Sequence, residues 1–177
     1  AGESVAALNA SDGSKAWSRK IKGRRGTRAR VISNMAAAHG TIYVPVANVP
    51  TDVTSENIRS VVDELTKSDK NNGQLVAIDA ENGKVSWTKK LASVPLGAAT
   101  VVNDVVFTST LDGNVYGFNA SNGDQVWTSK LPAGAVAPIA AYSGTLIVPA
   151  GLVTKKGQRA QVVAFTKACP AAPRMRR

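Results

Sequence analysis

One thirteen-residue pattern occurs three times in this chain, from Val5 to Trp17, from Leu75 to Trp87 and from Val115 to Trp127. Asn9, Asp79 and Asn119 align, as do Gly13, Gly83 and Gly123. All three tryptophans fall at the same phase. A fixed repeat constrains the fold more tightly than residue propensities do. Repeats of this kind are scaffolds, and activity lies in what departs from them.

Each unit reads as a hairpin. Leu75, Ala77 and Asp79 lie on one face of a strand, and Val76, Ile78 and Ala80 on the other. Asp12-Gly13, Asn82-Gly83 and Asn122-Gly123 then tolerate positive φ and mark a turn. The strand leaving the turn ends in Trp, a ring large enough to fill the gap between neighbouring sheets. A second set of turns aligns at His39-Gly40, Asn103-Asp104 and Ser143-Gly144. The strands after them are 41–44, 105–108 and 145–148. One unit is thus four antiparallel strands. Trp87 to Trp127 is 40 residues, the length of a four-stranded propeller blade. Trp17 to Trp87 is 70, which leaves an insertion of about 30 residues beyond one such blade.

The pattern Ala-x-Asp/Asn-Ala-x-x-Gly-x-x-x-Trp resembles the tryptophan-docking repeat of the quinoprotein (pyrroloquinoline quinone, PQQ) β-propeller family. The likeness covers nearly the whole chain apart from residues 51–72 and the last eight or so. It implies an all-β propeller of four-stranded antiparallel blades, of oxidoreductase lineage, outside the cytoplasm. The family includes PQQ-dependent alcohol dehydrogenases and a non-catalytic lipoprotein that helps assemble outer-membrane barrels. The expected role is therefore the C-terminal segment of a PQQ-type propeller. The alternative is a non-catalytic binding or assembly scaffold in the cell envelope.

The strand tally describes a single partial propeller over 1–177. Blade 1 supplies its two outer strands at 3–20. Blade 2 spans 28–90 with a helical insertion at 51–72, and blade 3 spans 94–130. Blade 4 supplies three strands at 135–168, followed by a basic tail at 169–177. Three to four blades fall short of most closed rings. Open edges invite association, so the expected partners are missing upstream blades or another copy.

Composition adds limits. Many β-branched residues suit strands, and no apolar run reaches the length of a membrane span. The single cysteine, Cys169, forms no internal disulfide, and pairing with upstream sequence stays open. The net charge of +10 is unevenly placed. Residues 15–30 hold eight basic residues and no acid, and no acid follows Asp124. Such a field favours an anionic small molecule or an acidic envelope polymer. Nucleic acid is disfavoured, because the basic runs lack interleaved aromatics and any recognition motif.

Strand alternation places the unusual segments on one side of the disc. The insertion, the basic connection 20–30 and the loop 151–159 all lie opposite the short turns. Ile58, Val61, Val62 and Leu65 recur at helical spacing within the insertion, Ser55 can cap it, and Lys67, Lys70, Asn71 and Asn72 suit its exit. Arg30, Ser33 and Asn34 align with the small residues Val94, Gly97 and Ala98 of the next blade. With Arg28 they form the candidate set for a carboxylate-rich cofactor such as PQQ. No catalytic residue is assigned. No Cys-x-x-Cys-His attaches a haem c, and no metal-ligand cluster is visible. His39 reads as a turn residue.

Overall fold

The computed structural model describes residues 3–50, 65 and 72–166. The first pair of strands is β1 (Ser4–Leu8) and β2 (Lys15–Lys20). A second sheet contains β3 (Thr27–Arg30), β4 (Ala36–Ala38), β5 (Thr41–Pro50), β6 (Asn72–Asp79) and β7 (Val85–Leu91). The third is β8 (Ala99–Val102), β9 (Val105–Ser109), β10 (Asn114–Asn119) and β11 (Gln125–Lys130). The fourth is β12 (Ala140–Tyr142), β13 (Thr145–Ala150) and β14 (Gln161–Thr166). Every pairing is antiparallel between chain neighbours, apart from β3, which reaches over β4 to β5.

The three repeats superimpose at the level of register. Trp17 faces Ala7, Trp87 faces Ala77 and Trp127 faces Gly117. Directly after each of these pairs the register slips, between Ala7 and Leu8, Ala77 and Ile78, and Gly117 and Phe118. Such a bulge sharpens the twist of the outer hairpin. The repeated Asx position ties down the turn that follows. Asp79 Oδ1 accepts the amides of Glu81 and Asn82, and Asn119 Oδ1 accepts those of Ser121 and Asn122. The inner turns use left-handed backbone at His39, Asn103 and Ser143, with φ of 51°, 51° and 46°.

The core lies between sheets rather than within one. Val5, Ile21, Val44, Val76 and Ile78 pack with Trp17. Tyr43, Leu75, Trp87, Ala99, Val106 and Phe118 form the next layer. Phe107, Val115, Leu131 and Val148 pack with Trp127. Each tryptophan thus sits between its own sheet and the following one. Burying one such ring contributes about 2–3 kcal/mol. Successive antiparallel sheets, here of two, five, four and three strands, packed face to face in this way are the blades of a β-propeller, present here as part of a ring.

Three details differ from the sequence reading. The connection into blade 2 contains a strand, β3, which lengthens the inner side of that sheet. Trp17 and Trp127 are half-buried, whereas Trp87 is buried. Asn72 begins β6 rather than closing a helix. The rest of the helical insertion lies outside the described residues apart from Leu65. That residue is helical and buried, and packs with Ala47, Val49, Val94 and Leu111.

Candidate functional site

The side of the disc that carries the long connections is built on the far ends of β5 and β13. From Trp17 to Ala38, the end of β4, is 21 residues; from Trp87 to Val102, the matching end of β8, is 15. The extra residues make β3 and the turn before it. Thr27, Arg28, Ala29 and Arg30 pair with Pro50, Val49, Asn48 and Ala47. Alternation along β3 puts Arg28 and Arg30 on one face and Thr27 and Ala29 on the other. Ala29 is buried, Arg28 is exposed and Arg30 is half-buried with interactions of its own.

The other two candidate residues do different work. The Ser33 hydroxyl donates to the carbonyl of Pro95 at 3.1 Å. The Asn34 carbonyl accepts the amide of Ala99 at 3.0 Å. Both bonds cross from the second sheet to the third, beside Ala98, whose φ is 59°. Ser33 and Asn34 therefore fasten two blades together. The four candidates divide into an arginine pair on a strand face and two groups that join sheets.

The same side holds buried polar groups. Asn48 Nδ2 donates to Asn72 Oδ1 at 2.8 Å, and Gln74 Nε2 donates to the Lys22 carbonyl at 2.9 Å. Asn48 Oδ1 and Ser109 Oγ are buried without a hydrogen-bond partner. Ser109 lies against Gly97, where an added Cβ would sit 1.8 Å from its Oγ. In the fourth sheet, Gly134 and Leu152 exchange backbone bonds of 2.9 Å each. The loop beyond Leu152 is held by Gln158, whose Oε1 accepts the amides of Thr154 and Lys155. Lys155, Lys156 and Arg159 are exposed on it.

A groove that the sequence reading did not anticipate opens on the opposite, short-turn side. It measures about 730 Å³ and is lined by Phe107, Val126, Trp127, Tyr142, Leu146 and Phe165 among others. Its aromatic wall is a chain of edge-on contacts, Phe107 to Trp127 at 6.1 Å and Trp127 to Phe165 at 5.1 Å. Tyr142 at its rim is 83% exposed. The sequence reading missed it because its lining mixes residues that read singly as core, such as Phe107 and Leu146, with turn residues such as Asn103 and Ser143.

A carboxylate-rich quinone fits this chain in part. Arg28 and Arg30 can pair with carboxylates through charge-assisted bonds. The Ser33 hydroxyl already has its acceptor, so it adds no donor to the set. No group of three or more His, Cys, Asp or Glu placed to hold a metal occurs among the described residues, and no described helix is long and apolar enough to cross a membrane.

The family model described as outer membrane protein assembly factor BamB matches residues 1–168. No curated protein matches the chain. Among solved structures, a europium-containing methanol dehydrogenase aligns with 83% of this chain and 34% of its own, at 16% identity and a TM-score of 0.59. The quinohemoprotein alcohol dehydrogenase of Comamonas testosteroni aligns with 77% of this chain and 26% of its own, at 19% identity and a TM-score of 0.56. The computationally designed Ika8 protein aligns with 81% of this chain and 36% of its own, at 11% identity and a TM-score of 0.55. Likeness at these identities shows the fold alone. The chain spans between 26% and 36% of the length of these proteins.

Proposed function

Because the chain belongs to the PQQ-like propeller-repeat family whose model is described as outer membrane protein assembly factor BamB, we propose that it supplies blades to an extracytoplasmic propeller of oxidoreductase lineage and serves there as a binding platform. One observation carries this reading. The Ser33 hydroxyl, placed by the sequence among cofactor contacts, is bonded to Pro95 of the next blade. The inner end of blade 2 is thus organised to hold blades together. Within the described residues, β1 and β14 each have a single strand neighbour. Further blades, or a second copy, would cover those edges. The blade divisions proposed are 3–20, 28–90, 94–130 and 135–168.

A second reading is favoured by the arginine pair on β3. There Arg28 and Arg30 would hold the carboxylates of PQQ, and the bound quinone would supply an electron acceptor. Both readings meet in one titration. The ring-complete protein is titrated with PQQ and assayed for PQQ-dependent reduction of a dye. The platform reading expects no saturable binding and no dye reduction. Saturable binding that is lost in Arg28→Ala and Arg30→Ala, together with dye reduction, overturns it in favour of the quinoprotein reading.

A further inference from the structure

The lengthened connection into blade 2 is more ordered than a basic loop needs to be. The Lys22 carbonyl is held by the largely buried Gln74 amide at 2.9 Å. Gly23 is pressed onto β3, where an added Cβ would lie 2.6 Å from the Thr27 carbonyl and 2.8 Å from the Ala29 nitrogen. The amide and the hydroxyl of Thr27 both donate to the Arg24 carbonyl, at 2.9 and 2.8 Å. Gly26 closes that turn at φ 79°. Ala29 then anchors β3 by burial. The backbone under Lys22, Arg24, Arg25 and Arg28 is fixed before any ligand arrives, which lowers the ordering cost of binding.

The four side chains themselves are exposed. None makes an ion pair among the described residues. The corresponding connections of the third and fourth sheets, 91–98 and 131–139, carry no charged residue. Lys155, Lys156 and Arg159 project from a loop on the same side of the disc, since the Gly134–Leu152 bridge joins that loop to the equivalent connection of its own sheet. Among the described residues, Asp112, in the β9–β10 turn of this side, is paired with Lys130. The insertion expected on this side adds Asp52, Glu56, Asp63, Glu64 and Asp69 against Arg59, Lys67 and Lys70. The cationic field therefore belongs to the 22–28 and 155–159 segments and not to the whole face.

We propose that this side of the propeller docks on an anionic phospholipid surface, with Lys22, Arg24, Arg25 and Arg28 as the principal headgroup contacts. The arginine forks match phosphate geometry. The cations stand on a turn and a strand face rather than around a pocket, so they suit an extended array of phosphates. Val153, 49% exposed beside Lys155 and Lys156, gives the face an apolar side chain that a headgroup boundary can accept and a free phosphate cannot use. No aromatic residue occurs in 19–35 or 150–161 to stack on a base. The proposal rests on the platform reading for its biological sense. Its test uses lipid and no quinone, so either can fail alone.

The test is flotation of the full chain with vesicles of phosphatidylcholine alone and of phosphatidylcholine mixed with phosphatidylglycerol. Binding is expected to the mixed vesicles only, and to weaken with salt. The combined variant Arg24→Ala, Arg25→Ala, Arg28→Ala is expected to lose about a hundredfold in partitioning, roughly fivefold per cation, with unchanged tryptophan fluorescence. Should that variant fail to fold, Arg24→Ala with Arg25→Ala, both outside β3, reads the same effect. Lys155→Glu with Lys156→Glu is expected to weaken binding as well. Equal binding to neutral vesicles, or undiminished binding by the arginine variants, overturns the proposal. So does displacement by millimolar pyrophosphate, which would assign the cations to a free phosphate, or tighter binding to duplex DNA than to vesicles.

Discussion

Trp87 donates its indole N–H to the carbonyl of Ala120 at 3.0 Å, across the gap between two blades. Trp17 makes the same bond to Ala80 at 2.9 Å, one blade earlier. The Ala120 carbonyl also receives the hydroxyl of Tyr43 at 3.1 Å. Two donors from one sheet therefore meet a single acceptor of the next, in a buried layer.

That shared acceptor makes the two donors interdependent. Trp87→Phe and Tyr43→Phe each remove one bond and leave the carbonyl satisfied by the other. Tyr43→Phe should cost about 1–2 kcal/mol in denaturant unfolding, and Trp87→Phe more, because it also removes part of a buried ring. The double variant leaves a buried carbonyl without a partner and should cost more than the sum of the two. A strictly additive cycle would show that the second donor does not compensate for the first.

The turn glycines test the docking of each ring on the following blade. Gly13 and Gly123 have nearly the same backbone, φ 73° and 72°. An added Cβ meets nothing within 4 Å at Gly13, but lies 2.7 Å from the Trp87 ring at Gly123. Gly13→Ala should therefore show only the left-handed backbone cost, about 1 kcal/mol. Gly123→Ala should lose clearly more in thermal or denaturant unfolding. Equal losses would mean that the Trp87 ring does not bear on the turn.

The fold was readable because the repeat states the same instruction three times. The aligned Asx, Gly and Trp positions place a turn and a docked ring without reference to the rest of the chain, whereas the bulge beside each ring shows only in the strand register. β3 was not readable in this way. It occurs in one blade, and its pattern Thr-Arg-Ala-Arg shows no apolar alternation beyond Ala29, so only pairing with the long β5 reveals it. The site was less legible still. Ser33 and Asn34 carry the right chemistry for a ligand, but a hydroxyl or a carbonyl that joins two blades looks the same in one dimension. Burial of Asn48 and Ser109 likewise depends on sheets that meet only in the folded molecule.

Ser33 gives that distinction an experimental form. Ser33→Ala removes the bond to Pro95 and should lower stability by about 1 kcal/mol. Its effect on an anionic ligand should be nil, whereas Arg28→Ala should weaken such binding with stability almost unchanged. Calorimetric titration alongside thermal unfolding separates the two. A Ser33→Ala variant of full stability and reduced affinity would return the hydroxyl to a ligand site.

Tyr116 supplies a pH signature for the third blade. It stacks on Phe118 at 5.9 Å. Burial, and secondarily the nearby Asp112 charge, raise its pKa above the ordinary 10.0. The fold thus favours the neutral phenol. The associated stability is fully present below pH 10.0 and is lost as pH rises through the higher folded value. Tyr116→Phe should remove that part of the alkaline decline. Asp112→Asn should bring the phenol only part of the way back, because burial is the larger cause. Ultraviolet difference titration of the parent against Tyr116→Phe isolates the phenol, and unfolding at a series of alkaline pH values reads the stability. An unchanged alkaline decline in Tyr116→Phe, or a full return to the ordinary value in Asp112→Asn, would contradict the assignment of burial as the dominant cause.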